Sequence, residues 1–228
     1  MTDTLAVNEI FGPTLQGEGK NIGMPCMFLR LAGCNLACSW CDTKYAWDWK
    51  HYDSRAEIHP TPWLDVYHAL SQSKVRNLVV SGGEPMLQQK TLQNLANALH
   101  GDKWHVEIET AGTIKPITSE LVDLFTVSPK LENSQNPLSK RLRADALTAF
   151  ADSNRAVFKF VVCDMDDFDE IDALVERFHL RNVYIMPEGV TNAALQDGAE
   201  RIVQAVLDRG YNLTMRLQVA LYGKRRGV

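Results

Sequence analysis

Asn77-Leu-Val-Val-Ser-Gly-Gly-Glu-Pro85 is a short apolar run that stops on two glycines, a carboxylate and a proline. Such a run is a strand, and the break after it is a turn. Residues 88–100 then read as a helix, and His105-Val-Glu-Ile-Glu-Thr110 as the next strand, with Ala111-Gly-Thr113 after it. Downstream the pattern repeats: strands are expected at 124–128, 157–162, 182–186 and 212–217, and helices at about 140–151, 166–179 and 193–209. Regular strand–helix alternation predicts a parallel α/β sheet. Polar residues and glycines gather just after these strands, at 81–84, 111–113, 128–130 and 187–189. In an α/β barrel that rim, at the C-terminal ends of the strands, carries the active site.

Working upstream, Pro62 to about residue 73 reads as a helix, with proline near its start and Leu64, Val66, Tyr67 and Leu70 as its apolar positions. Residues 44–62 hold Tyr45, Trp47, Trp49 and Tyr52, with Trp63 just beyond; this irregular aromatic segment is expected to cover a site or to form a partner surface. Met27-Phe-Leu-Arg-Leu-Ala32 is a strand interrupted by Arg30. A cation there needs a partner, because unpaired burial is costly. Either a structural ion pair or an anionic substrate gripped through two parallel hydrogen bonds satisfies it. Residues 7–19 begin extended and then break at Gly12-Pro13, Gly17 and Gly19. The break reads as a surface loop, or as backbone that approaches a ligand with Gln16 and Glu18 turned toward it.

Between that strand and the aromatic segment lies Gly33-Cys-Asn-Leu-Ala-Cys-Ser-Trp-Cys-Asp-Thr43. Three thiols fall within eight residues, with three residues between the first pair and two between the second. Cys34, Cys38 and Cys41 can converge on one metal centre without long loop closures. A structural zinc site would need a fourth protein ligand, for which His51 and His59 are candidates. A [4Fe–4S] cluster held by three cysteines keeps one iron free for a substrate or cofactor. Spacing alone leaves both readings open, with chance clustering as a third.

Composition bounds the rest. A chain of 228 residues that is 45% hydrophobic makes one domain with a real core. Net charge is −4 and pI about 5.9, and the only basic run is Lys224-Arg-Arg226, so no nucleic-acid footprint is expected. No apolar run has the length of a membrane span, and Met1-Thr-Asp-Thr-Leu-Ala-Val-Asn-Glu9 lacks the regions of a signal peptide. A reducing cytoplasmic setting follows as the expectation, in which clustered thiols are metal ligands rather than disulfides. Cys26 and Cys163 are left over, and both read as small buried hydrophobes.

The C-x3-C-x2-C pattern resembles that of the radical S-adenosylmethionine enzymes, whose free iron binds the cofactor's amino and carboxylate groups. Further motifs narrow the resemblance to the 7-carboxy-7-deazaguanine synthase family: Gly12-Pro-Thr-Leu-Gln-Gly-Glu-Gly19, Phe28-Leu-Arg30, Cys41-Asp-Thr43, Ser81-Gly-Gly-Glu-Pro85, Glu109-Thr-Ala-Gly-Thr113, Ser128-Pro-Lys130 and Gly223-Lys-Arg-Arg-Gly-Val228. It runs from about Asn8 to the final residue. It implies an α/β fold, a partial (incomplete) TIM-like barrel, spanning residues 1–228 as one domain whose C-terminal tail closes the site. It also implies a homodimer, a flavodoxin- or ferredoxin-like electron donor, and conversion of 6-carboxy-5,6,7,8-tetrahydropterin to 7-carboxy-7-deazaguanine with loss of ammonia, in a deazapurine pathway such as that to queuosine.

By matching motif, the resemblance implies that Cys34, Cys38 and Cys41 hold the cluster. Trp40, Asp42, Gly83, Glu84, Ser128, Pro129 and Lys130 would contact S-adenosylmethionine, with Gly83 and Glu84 at its amino end. Leu15, Gln16, Gly17, Arg30, Ser81 and Val228 would surround the pterin, and Thr43 would ligate Mg²⁺. A hydroxyl suits Mg²⁺, which takes few protein ligands. Some relatives carry a histidine where this chain has Gln218, which can hydrogen-bond but does not titrate near neutrality. Taken singly, Glu84, Glu109 and Lys130 read as surface groups and the basic tail as frayed. The competing readings are a glycyl-radical activating enzyme and a zinc- or cluster-binding interaction module.

Overall fold

The computed structural model describes residues 3–117 and 120–228. Among them nine strands form one sheet in the order β3-β1-β2-β4-β5-β6-β7-β8-β9. The strands are β1 (Thr4–Leu15), β2 (Pro25–Leu31), β3 (His59–Pro62), β4 (Asn77–Gly82), β5 (His105–Thr110), β6 (Leu124–Val127), β7 (Ala156–Val162), β8 (Val183–Pro187) and β9 (Asn212–Leu213). β3, β1 and β2 run antiparallel, and every pairing from β2 to β9 is parallel. β3 and β9 are the two edges, so the sheet is open rather than a closed barrel.

The helices are α1 (Ser54–Glu57), α2 (Trp63–Ser71), α3 (Gln89–Gly101), α4 (Leu138–Arg141), α5 (Ala144–Asp152), α6 (Asp167–Phe178), α7 (Asn192–Asp208) and α8 (Leu217–Tyr222). The longer ones each bury a stripe at three- and four-residue spacing, such as Leu92, Leu95, Ala96 and Leu99 on α3 and Phe168, Ile171, Leu174 and Phe178 on α6. That face packs against alternate strand residues in one core: Leu29 and Leu31, Leu78 and Val80, Val106 and Ile108, Phe125 and Val127, Phe158 and Phe160, Val183 and Ile185. Because a strand's side chains alternate, the intervening positions face the other way. There the chain places Phe28, Arg30, Ser81, Glu109, Thr126 and Lys159, which line a cavity, and Glu107 beneath it. The inner face of the sheet is thus polar, and the apolar core lies between its outer face and the helices.

Four elements depart from the expectation. Residues 12–15 are strand rather than loop: β1 begins extended as expected but runs on past Gly12-Pro13 with register shifts on either side, and Phe11 stacks on Phe28 of β2 at 5.0 Å. The aromatic segment contains β3, whose Pro60 and Pro62 lack N–H donors and so sit on an edge strand. The helix expected at 140–151 is split into α4 and α5, with extended backbone at Leu142 and Arg143. The last strand stops at Leu213, since Thr214 turns inward to accept the Gly19 N–H at 2.8 Å, and α8 begins where Leu217 donates to the Gly17 carbonyl at 2.8 Å. Cys26 is buried as expected, whereas Cys163 is only half-buried and outside the core.

Candidate active site

The cysteine loop leaves the end of β2, and its three thiols share a cavity of about 480 Å³ with the inner-face residues. Gly33 opens it at φ +94°, a left-handed conformation. Its N–H binds Ala46 O at 2.7 Å and its carbonyl accepts from Glu84 N at 2.8 Å, so the aromatic segment and the β4 turn both pin it. Each sulfur receives a hydrogen bond: Cys34 Sγ from Leu36 N at 3.4 Å, Cys38 Sγ from Asn136 Nδ2 at 3.3 Å, and Cys41 Sγ from Trp47 Nε1 at 3.2 Å. Burial pushes the Cys34 thiol up to about 12 and raises Cys38, the latter opposed by the Lys130 cation. Free thiols of that kind stay protonated until a metal centre binds the sulfur and the proton is released.

The donor set fits a cluster better than a zinc ion. All five cysteines are free. His51 lies exposed and pairs with Asp48 at 2.8 Å, and His59 is exposed on the edge strand β3. Neither offers a fourth ligand beside the thiols. Among the described residues no three His, Cys, Asp or Glu side chains are grouped around one ion. A cluster places its thiolates on separate irons and does not require that grouping.

Of the residues expected around S-adenosylmethionine, Trp40, Asp42, Gly83, Ser128 and Lys130 line the cavity. Gly83 packs so closely that a Cβ there would lie 2.0 Å from the Gly33 carbonyl oxygen. Glu84 and Pro129 lie beneath the surface instead. Glu84 is no surface carboxylate: it is fully buried and accepts from Met86 N at 3.0 Å, Thr110 Oγ1 at 2.8 Å and Ala111 N at 2.8 Å. Burial holds its carboxyl above the usual range despite these donors. Lys130 is not free in solvent either; Nζ donates to Ser128 O at 2.7 Å and lies 5.8 Å from the Trp40 ring. Burial lowers its pKa.

Leu15, Gln16, Gly17, Arg30, Ser81 and Val228 also line the cavity. Arg30 donates Nε to Glu9 at 2.7 Å, and its guanidinium stands 5.7 and 5.8 Å from the Phe11 and Tyr45 rings. The ion pair to Glu9 is formed, and an anionic ligand still has room, since among the described residues the hydrogen bonds of Arg30 use only Nε. The Gln16 carboxamide is turned inward, to Glu107 at 3.1 Å and Glu109 at 3.4 Å. Ser81 Oγ donates to Glu109 at 2.8 Å. Thr43 Oγ1 lies 3.6 Å from Cys41 Sγ on the same cavity wall.

Glu18 is the hub of this half. Its carboxylate takes Lys159 Nζ, Arg216 Nε at 2.9 Å and Gln218 Nε2 at 2.7 Å. The two cations hold its carboxyl far below the ordinary range against the cost of burial. Arg216 also binds Asp42 of the cysteine loop and the Gly189 carbonyl at 2.8 Å. One guanidinium thus joins three walls across the side where the sheet stays open. The tail is likewise anchored rather than frayed: Arg226 binds Glu9 at 3.2 Å, Glu57 at 2.7 and 3.1 Å and Asn8 at 3.1 Å, and stacks 3.9 Å over Tyr45. Residues 223–228 line the cavity as a result.

Sequence reasoning missed Lys159, Arg216, Glu107, Asn133 and Asn136. Lys159 carries the signal that singled out Arg30, a cation inside an apolar strand. Asn133 accepts from Trp40 Nε1 at 3.1 Å and Asn136 from Ala37 N at 2.9 Å, so the loop after β6 buttresses the cysteine loop. No local pattern marks either asparagine.

Comparison with known proteins agrees with this geometry. Residues 15–149 match the model of a 4Fe-4S single cluster domain. A 7-carboxy-7-deazaguanine synthase of Pyrobaculum aerophilum is 38% identical over 99% of this chain and 98% of its own length. One of Rhodopirellula baltica is 34% identical over 98% and 89%. The crystal structure of QueE from Escherichia coli superposes with a TM-score of 0.73 at 26% identity, over 94% of each chain. Streptococcus suis SuiB bound to S-adenosylmethionine shares the fold alone, with a TM-score of 0.55 at 16% identity over 83% of this chain and 50% of its own.

Proposed function

The chain belongs to the 7-carboxy-7-deazaguanine synthase family, and from that premise we propose that it converts 6-carboxy-5,6,7,8-tetrahydropterin to 7-carboxy-7-deazaguanine and ammonia. The conversion is redox-neutral, since the product is the substrate less one ammonia. When bound, a [4Fe–4S] cluster and S-adenosylmethionine supply the radical chemistry at carbon, and the protein supplies binding, orientation and exclusion of water. The observation that carries the reading is that three sulfurs, each with its own N–H donor, share one cavity with a half-buried arginine whose terminal nitrogens have no partner among the described residues.

Cys34, Cys38 and Cys41 hold the cluster. Trp40, Asp42, Gly83, Ser128 and Lys130 face S-adenosylmethionine, while Glu84 and Pro129 fix the turns beneath it. Arg30 grips the pterin carboxylate, a charge-assisted contact. Leu15, Gln16, Gly17 and Ser81 form the wall against the ring, and Glu109 presents an acceptor to its N–H edge. Thr43 contributes one hard oxygen to Mg²⁺, the remaining ligands coming from substrate and water. The Arg226 anchor keeps Val228 over the cavity, so that the whole chain acts as one domain closed by its own tail. The working form is a homodimer in the cytoplasm, reduced by a flavodoxin- or ferredoxin-like donor, within a deazapurine pathway. Among the described residues no helix is long and apolar enough to cross a membrane.

Calorimetric titration of the cluster-loaded protein tests the Arg30 assignment. The carboxylated pterin should bind at least tenfold more weakly to Arg30→Met, while a tetrahydropterin lacking the carboxylate should bind both proteins alike. Equal loss for both ligands would remove Arg30 from the carboxylate site.

A further inference from the structure

Two of the three thiol sulfurs accept a hydrogen bond from a side chain that lies outside the cysteine loop. Trp47 follows the turn Lys44–Ala46 and points its indole N–H at Cys41 Sγ, 3.2 Å away. An indole nitrogen can only donate, and among the described residues this sulfur is its one acceptor. Asn136 comes from the other side, 98 residues along the chain from Cys38; it is buried, and its Nδ2 lies 3.3 Å from Cys38 Sγ. Its Oδ1 accepts from Ala37 N at 2.9 Å, which fixes the orientation of the amide. The third sulfur, Cys34, is served by backbone alone.

We propose that Trp47 and Asn136 set the reduction potential of the bound cluster by donating N–H groups to two of its sulfur ligands. The inference rests on the cluster reading above. An N–H dipole aimed at a thiolate stabilises the extra negative charge that the cluster carries when reduced. Hydrogen bonds to the sulfurs are among the levers that set such potentials. Both donors therefore make the cluster easier to reduce, and removing either makes it harder. Since they serve different sulfurs, their effects should add.

The test is a potentiometric titration of the reconstituted protein followed by electron paramagnetic resonance, with Trp47→Phe, Asn136→Leu and the double variant. Trp47→Phe keeps an aromatic ring at the position and removes the N–H donor together with the pyrrole part of the indole. Each single variant should retain iron and sulfide at the wild-type level. Each should shift the reduced-to-oxidised ratio at a fixed potential on the order of tenfold toward oxidised, about 59 mV more negative for one electron. The double variant should shift further. A wild-type midpoint in fully loaded Trp47→Phe overturns the inference, and that variant decides alone if Asn136→Leu fails to take up iron. A wild-type protein that binds no iron and sulfide overturns the cluster reading itself, an outcome distinct from a loaded cluster whose midpoint does not move.

Discussion

Replacing Glu18 by glutamine should cost the protein far more stability than loss of a surface ion pair. Its side chain is 13% exposed, that of Lys159 7% and that of Arg216 12%, so the three charges are withdrawn from water together. Glutamine keeps the volume but leaves two cations behind. Arg216 retains Asp42, whereas Lys159 is left only with Glu109 at 3.9 Å. Breaking a buried pair costs about 3–5 kcal/mol, and the surviving partners argue for the lower end, ~3 kcal/mol. For a chain of this size that lowers the thermal midpoint by roughly 6–12 °C. Urea unfolding by tryptophan fluorescence, with both proteins in the same anaerobic state, measures it directly. The sign with pH follows from the depressed carboxyl. Its contribution is whole above the unfolded carboxylate value of about 4.3 and drains away as pH falls toward the folded value. The gap between wild type and Glu18→Gln should therefore narrow below about pH 4. Adding Lys159→Met should restore part of the loss, because removing both partners spares the unpaired charge. A loss under about 1 kcal/mol, the range of exposed pairs, would refute the buried hub.

Other consequences can be checked separately. Arg226→Ala removes the contacts to Glu9, Glu57 and Asn8, and should raise KM for the pterin about tenfold or more with a smaller change in kcat, as steady-state kinetics would show. In Gly83→Ala the new methyl meets backbone at Gly33 rather than a side chain that can swing away. Lower thermal stability and impaired S-adenosylmethionine binding should follow, and binding at the wild-type level would contradict the close packing. Treatment with a chelator of Mg²⁺ should suppress turnover and leave iron content intact, with recovery on adding Mg²⁺; Thr43→Val should need more Mg²⁺ for the same rate.

Much of this was legible in the sequence because it rests on short local patterns. The strand–helix alternation from Asn77 onward gave the parallel sheet, and residues from each of the four turns it placed on one rim do share one cavity. What escaped lies where tertiary contacts decide. β3 has two prolines in four residues and becomes a strand only by pairing with β1. α8 has six residues, and its start is fixed by Gly17, 200 positions away. The period-two pattern of His105-Val-Glu-Ile-Glu-Thr110 was visible, yet reading Glu109 as a surface group assumed a wet inner face, and Glu107 went unread. Glu107 is instead fully buried against Gln16, Thr126 and Asn21, and burial holds its carboxyl above the usual range. The tail looked frayed because none of Arg226's partners is near it in sequence.

The most direct measurement is anaerobic turnover of the protein loaded with iron and sulfide, given reductant, S-adenosylmethionine, Mg²⁺ and 6-carboxytetrahydropterin and followed by mass spectrometry. The account predicts a product lighter than the pterin by one ammonia, matching 7-carboxy-7-deazaguanine, and no product from Cys38→Ala. Formation of 5′-deoxyadenosine with the pterin left intact would keep the radical chemistry and contradict the substrate.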